Sequence, residues 1–159
     1  MNKAEKRQQV VDHYLDYYAL AMSMLDDDDD ARDAVQEAMA RTFAQPLVKD
    51  PVSYCFQAVR RLALDILRRR QKMIPMSKAG YINEPANVED NYAELLKRVR
   101  SVRNGLPLDM RPLVVLHYEK GLSLLELEKL TGVSRITLWR KLQKAKEMMK
   151  TQLEEGEEI

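Results

Sequence analysis

The stretch that decides the fold is GLSLLELEKLTGVSRITLWRKLQKAK, residues 121–146. Ser123 followed three residues later by Glu126 is a capping box, which predicts a helix from Leu124 to about Leu130. The turn TGVS comes next. Gly132 supplies the positive φ that a sharp bend between two packed helices requires, Val133 plugs the angle between them, and Ser134 caps the following helix. Leu138, Leu142, Ala145 and Met149 recur at helical spacing and bury one side of that last helix. Its other side presents Arg135, Thr137, Trp139, Arg140, Gln143 and Lys144, flanked by Lys141 and Lys146. In a major groove Arg and Lys pair with phosphates or guanine edges, while Thr and Gln reach base edges, so this helix is expected to read duplex DNA. A merely solvated basic face is the plainer alternative, but it does not account for an exposed Trp139 beside Arg140. Glu128 stands where such helix-turn-helix motifs usually carry a small alanine, so its carboxylate has to turn to solvent or pair with a nearby base.

Upstream of this motif, Tyr92, Leu95, Leu96, Val99 and Val102 share one helical face, and Asn104-Gly105 stops that helix. Leu106-Pro107 makes a turn, and Asp109 is expected to cap a helix carrying Leu113, Leu116 and His117 that Gly121 ends. Residues 71–90, QKMIPMSKAGYINEPANVED, hold two prolines, a glycine and two asparagines without a sustained period, which reads as a linker. The expected organisation is a domain over residues 1–72, a linker over 73–90 and a second domain over 91–159 with an acidic tail. Met73, Ile74 and Met76 are too apolar for a fully solvated tether.

In the first domain, Val11, Tyr14, Tyr18, Met22 and Leu25 predict one amphipathic helix from about residue 8 to 25. Ala31, Ala34, Val35, Ala38, Met39 and Thr42 predict a second, capped by Asp30 and ending near Phe43. Asp26 to Asp29 then form a turn, and a calcium loop is excluded because its alternating ligands, central Gly and closing Glu are missing. A third helix starts at Pro51 behind an Asp50 cap and buries Val52, Cys55, Phe56, Val59, Ala63, Ile66 and Leu67. The fold class is therefore all-α: two small helical domains joined by a linker, the second containing the helix-turn-helix.

Composition agrees. Leu, Met, Ala, Lys, Arg and Glu abound while the 159 residues include only 5 glycines. The net charge of +1 conceals segregation, with acid at residues 26–30 and 154–158 and base at residues 60–72 and 135–150. Local stripes of base, not the total, decide affinity for phosphate. No signal peptide or apolar run long enough for a bilayer is present, so a cytoplasmic protein without membrane insertion is expected. Cys55 is the single cysteine and reads as core, and with only two histidines no zinc spacing exists. No cofactor or metal is implied.

With these residues in hand, the chain resembles the extracytoplasmic-function sigma factors of bacterial RNA polymerase over about residues 10–153. Asp33, Gln36, Glu37 and Phe43 match the family's D-x-x-Q-E pattern and the aromatic after it; Tyr54 with Asp65, Arg68 and Arg69 match its aromatic helix start and D-x-x-R-R segment. LPLDMRPLVVLHY, GLSLLELEKL and TLWRKLQKAK resemble its second-domain segments. The family commonly carries an Asn where this chain reads Arg61-Leu62-Ala63.

The resemblance implies a protein with no catalytic residue of its own that lends sequence recognition to core RNA polymerase. Asp33, Gln36, Glu37 and Arg41 would dock on the basic clamp of the polymerase large subunit. Arg60, Arg61, Arg68 and Arg69, with the loop from Gln45 to Ser53, would read and melt promoter DNA near the −10 element. Arg135, Thr137, Trp139, Arg140, Gln143 and Lys144 would read the −35 element. The linker would run through the polymerase interior. An anti-sigma partner follows from the family analogy, with no residue specifying it. A free-standing helix-turn-helix regulator and a protein-binding helical adaptor are the competing readings, and the two-domain layout with D-x-x-Q-E favours the sigma factor.

Overall fold

The computed structural model describes residues 2–45, 47–73 and 91–157. Among them the chain forms helices α1 (Lys3–Asp12), α2 (Tyr14–Leu25), α3 (Asp28–Phe43), α4 (Pro51–Met73), α5 (Asn91–Asn104), α6 (Arg111–Val114), α7 (Leu124–Thr131) and α8 (Arg135–Glu157). A π-helical turn, Val115–Glu119, continues α6. No strand occurs among the described residues. The predicted linker differs at its start, because α4 carries on through residues 71–73; the remainder, including Ile74 and Met76, lies outside the described residues.

Helices α1–α4 form the first group, with α2, α3 and α4 packed mutually and α1 laid across α4. The single helix expected over residues 8–25 is two. The chain breaks at His13, whose ring pairs with Asp16 at 3.0 Å, and α2 restarts there. Leu25 is buried as expected, but the rest of the buried stripe is out of phase with the expected one. Val10, Tyr17, Leu20, Ala21 and Met24 are enclosed, whereas Val11 is 45 % exposed and Tyr14, Tyr18 and Met22 lie half-buried on the flank. Tyr17 donates its hydroxyl proton to the Val52 carbonyl at 3.0 Å, and burial drives its pKa far above the ordinary phenol value. Cys55 is buried beside it, its thiol pushed up to about 11 by burial.

The aspartate run divides its duties. Asp26 ends α2 in the left-handed region at φ 50°, a conformation Asp tolerates better than most residues. Asp27, not Asp30, caps α3: its Oδ1 accepts the Asp30 N–H at 2.9 Å. Asp28 accepts the Tyr18 hydroxyl and pairs with Arg32, and the Tyr18 bond foremost holds its pKa below the ordinary value. Asp30 is withdrawn from capping by Arg70 of α4, 2.6 Å away, which also donates to the Leu25 carbonyl at 2.8 Å. The cap moved three residues upstream because a long-range cation claimed the expected one.

Helix α4 begins as its sequence directs, with Asp50 Oδ1 accepting the Ser53 N–H at 3.2 Å and Pro51 at the first position. Leu62, where the family commonly has Asn, faces inward and is buried.

The second group, α5–α8, is not separate from the first. One continuous apolar core runs from Leu20, Phe56 and Val59 to Leu113, Leu116, Leu127 and Leu138. Helix α7 lies on α4, and α2 abuts α6 and the π turn. Gln57 donates to the Thr131 carbonyl at 3.1 Å, and Arg111 donates to the carbonyls of Ser23 and Leu106, each at 3.2 Å. Arg111 Nε is buried without a partner among the described residues, and burial chiefly lowers that guanidinium's pKa. Asp109 does not cap α6, whose cap residue is Met110 without a side-chain bond; Asp109 lies 3.9 Å from Lys141 of α8. In the π turn His117 Nδ1 meets the Leu122 carbonyl at 2.6 Å, so Nδ1 carries the proton, and Gly121 closes the segment at φ 78°. Arg103 holds Glu119 at 2.5 Å, joining α5 to this turn.

Candidate nucleic-acid interface

The helix-turn-helix is assembled from short-range bonds. Ser123 Oγ accepts the Glu126 N–H at 3.1 Å while Glu126 Oε1 accepts the Ser123 N–H at 3.0 Å. The Ser123 backbone N–H first, and the Ser123 side chain after it, hold the Glu126 carboxyl below its ordinary pKa. Gly132 adopts φ 77°, and its N–H bonds the Glu128 carbonyl at 2.9 Å. A Cβ added there would stand 3.3 Å from Ser53 Cβ on α4, so conformation and proximity both call for glycine. Ser134 Oγ accepts the Thr137 N–H at 3.3 Å and caps α8 as expected.

Glu128 does what its departure from the small-residue pattern demanded. One carboxylate oxygen accepts the backbone N–H of Arg135 at 3.0 Å and the other pairs with Arg135 Nε at 3.3 Å. The carboxylate thus sits against the positive end of α8, where an anion is favoured. It also ties Arg135 toward α7. Thr137 is likewise engaged, its hydroxyl 3.0 Å from that of Ser134.

The outward side of α8, opposite buried Leu138, Leu142 and Ala145, carries Ile136, Trp139, Arg140 and Gln143 at spacings i, i+3, i+4 and i+7. Trp139 is 52 % and Ile136 65 % exposed; Arg140 and Lys144 are exposed and Gln143 is half-buried. Ile136 is absent from the residues expected to read DNA, although its position one turn before Trp139 was legible. The packing of α7 on α4 leaves this stripe facing outward.

On α4 the four predicted arginines are dispersed. Arg61 is exposed and lines a groove with Arg41, Val48, Ser53, Tyr54 and Gln57. Arg60, its neighbour, is half-buried in a crevice shared with Leu108, Asp109 and Lys141. Arg68 pairs with Asp65 at 3.2 Å, and Arg69 is exposed. The loop before α4 is tethered by Lys6 donating to the Val48 carbonyl at 3.2 Å, and it holds Leu47 90 % exposed.

On α3, Asp33, Gln36, Glu37 and Arg41 are all exposed on one face, opposite buried Ala31, Ala34, Val35 and Ala38. Arg41 pairs with Glu37 at 2.7 Å. Because Arg41 also borders the groove of Asp50, Tyr54 and Arg61, the acidic face and this groove adjoin. Among the described residues no group of three or more His, Cys, Asp or Glu side chains is arranged to hold a metal, and no helix is long and apolar enough to cross a membrane.

Residues 10–73 match the model of the Sigma-70 region 2 family. The chain is 28 % identical over 148 residues to the RNA polymerase sigma factor SigV of Bacillus subtilis, covering 91 % of this chain and 88 % of that protein. Its fold is that of the sigma factor RpoE, solved in complex with the anti-sigma factor NepR from Bartonella quintana. The TM-score is 0.58 at 20 % identity, over 92 % of this chain and 95 % of the other. Together with the helix-turn-helix and the exposed D-x-x-Q-E face, these similarities support an extracytoplasmic-function sigma factor, with residues 10–73 as its Sigma-70 region 2.

Proposed function

We propose that the chain is an extracytoplasmic-function sigma factor for transcription initiation that divides its work among three surfaces. Asp33, Gln36, Glu37 and Arg41 on α3 dock on core RNA polymerase through charge-assisted bonds to its basic clamp. Arg60, Arg61, Arg68 and Arg69 on α4, with the loop that presents Leu47, hold DNA near the −10 element. The α8 face of Trp139, Arg140, Gln143 and Lys144, flanked by Arg135 and Thr137, reads the −35 element in the major groove. Residues 1–72 and 91–159 act as the two DNA-engaging domains and residues 73–90 as the connection between them. Sigma factors are non-enzymatic regulators of RNA polymerase; this chain supplies binding energy and no catalytic group, and it works in the cytoplasm. An anti-sigma partner is part of the proposal, supported by the neighbour RpoE having been captured with one.

The observation that carries the reading is that the exposed D-x-x-Q-E face of α3 and the exposed aromatic-basic stripe of α8 belong to one chain. Mixing the protein with core RNA polymerase should give co-elution and transcription from a subset of a promoter library. Asp33→Arg or Glu37→Arg should weaken co-elution at least tenfold, on the scale of about 1.4 kcal/mol or more for a disrupted charged contact, with helical content unchanged. Absence of polymerase binding by the wild-type chain, with duplex binding at moderate salt, would replace this reading by a free-standing regulator.

A further inference from the structure

The first turn of α8 is the part of a recognition helix that meets base edges, and in this chain its polar side chains already have partners within the protein. Arg135 is drawn to Glu128 by its side chain and its backbone N–H. The hydroxyls of Ser134 and Thr137 bond each other, and Ser134 also takes the Thr137 N–H. Among these exposed residues the one without polar atoms in its side chain is Ile136, a hydrocarbon at this end of the stripe. One turn further on come Trp139 and Arg140, with Lys144 exposed beyond them. The surroundings are cationic, which suits a polyanion, and the centre of the approach is apolar.

We propose that Ile136 is a specificity residue that packs on the C5-methyl group of one thymine in the duplex that α8 enters. The inference rests on the −35 reading of α8 given above. The major groove offers one apolar group on its base edges, the thymine methyl; guanine, adenine and cytosine present donors and acceptors there. Against Ile136 those polar edges would give up water without receiving a hydrogen bond in exchange, which is unfavourable. A thymine instead buries its methyl group against the branched chain. The residue therefore selects both by attraction to thymine and by rejecting polar edges. The contacts of Arg140 and Lys144, to phosphates or to other bases, are indifferent to this choice.

The test uses the holoenzyme. It first selects its upstream duplex from a randomised library, and each thymine of that duplex is then replaced singly by uracil, which removes only the methyl group. For wild-type protein one replacement should weaken binding about fourfold, the worth of one buried methyl-sized group. Ile136→Ala holoenzyme should bind the thymine and uracil duplexes alike, and its own selection should lose preference at that position alone. Ile136→Val should retain part of the discrimination. Uracil replacements that are all silent would overturn the inference, as would a fourfold loss that persists in Ile136→Ala. Weaker association of Ile136→Ala with core polymerase, at unchanged base preference, would make this a protein-docking face and overturn it too. Failure of the −35 reading itself would look different: an active wild-type holoenzyme would then select no upstream sequence at all.

Discussion

The two helical groups reach order by different routes. In α5–α8 the decisive contacts around the turn are short-range: Ser123 with Glu126, Gly132 with Glu128, Ser134 with Thr137. In α1–α4 they come from afar, since Arg70 claims Asp30 across 40 positions and Tyr17 reaches the Val52 carbonyl across 35. A motif assembled from neighbours can be grafted and read as a word. A bundle held by distant partners has to be solved as a whole. Yet the second group also leans on the first, because α7 rests on α4 and the apolar core passes through both.

That dependence is open to a direct challenge. Leu20 is fully enclosed on α2 and lines the crevice against Leu108 and Leu113. Leu20→Ala should cost about 2–5 kcal/mol. If the core is shared, the fluorescence of Trp139, the single tryptophan, should lose its transition at the same lowered temperature as the helical signal. Two separated transitions would show that the second group stands alone. Gly132→Val comes next, at about 2 kcal/mol by thermal denaturation, since a β-branched residue in the left-handed region is strained and its Cβ would press on Ser53. Smaller again, Asp27→Ala and Ser123→Ala should each cost about 1 kcal/mol in urea unfolding, one cap in each group. Asp29→Ala, exposed beside them, should stay within about 0.5 kcal/mol. The least effect is acid-dependent. Glu126 titrates lower in the folded chain than unfolded, so its contribution is present above the ordinary glutamate range and is lost as pH falls through the folded value. Glu126→Gln should flatten the fall of the urea midpoint on acidification without abolishing it, because Asp28 is also depressed and retains its own share.

How much could be read in advance follows the same division. The capping box, the αL glycine, the Ser134 cap and the buried side of α8 were all legible because each is fixed within a few residues. The five aspartates are chemically identical, so nothing local distinguishes Asp27 from Asp30; Arg70 does, from the far end of α4. The phase of α1 and α2 is not fixed locally, because Val10, Tyr17 and Met24 lie beside a second apolar stripe of Val11, Tyr14 and Tyr18, and only packing against α3 and α4 chooses between them. Asp109 had the chemistry of a cap but lies beside Lys141 instead. At the candidate interface the sequence points to the charged and aromatic residues of α8 and not to Ile136, because an exposed aliphatic side chain carries no signal until its polar neighbours are seen to have partners. On α4 a run of basic residues gave no hint that Arg60 and Arg61 would face different surroundings.

The Glu128 carboxylate, bonded at once to the backbone and the guanidinium of Arg135, also bears on the thermodynamics of recognition. A helix whose first turn frays must surrender conformational freedom when it meets a ligand, and that loss subtracts from affinity. Here the first turn of α8 is already ordered when the protein folds, so the loss is settled beforehand. The glutamate that departs from the small-residue pattern of the motif thereby gains a recognition element whose entropy of binding is less unfavourable.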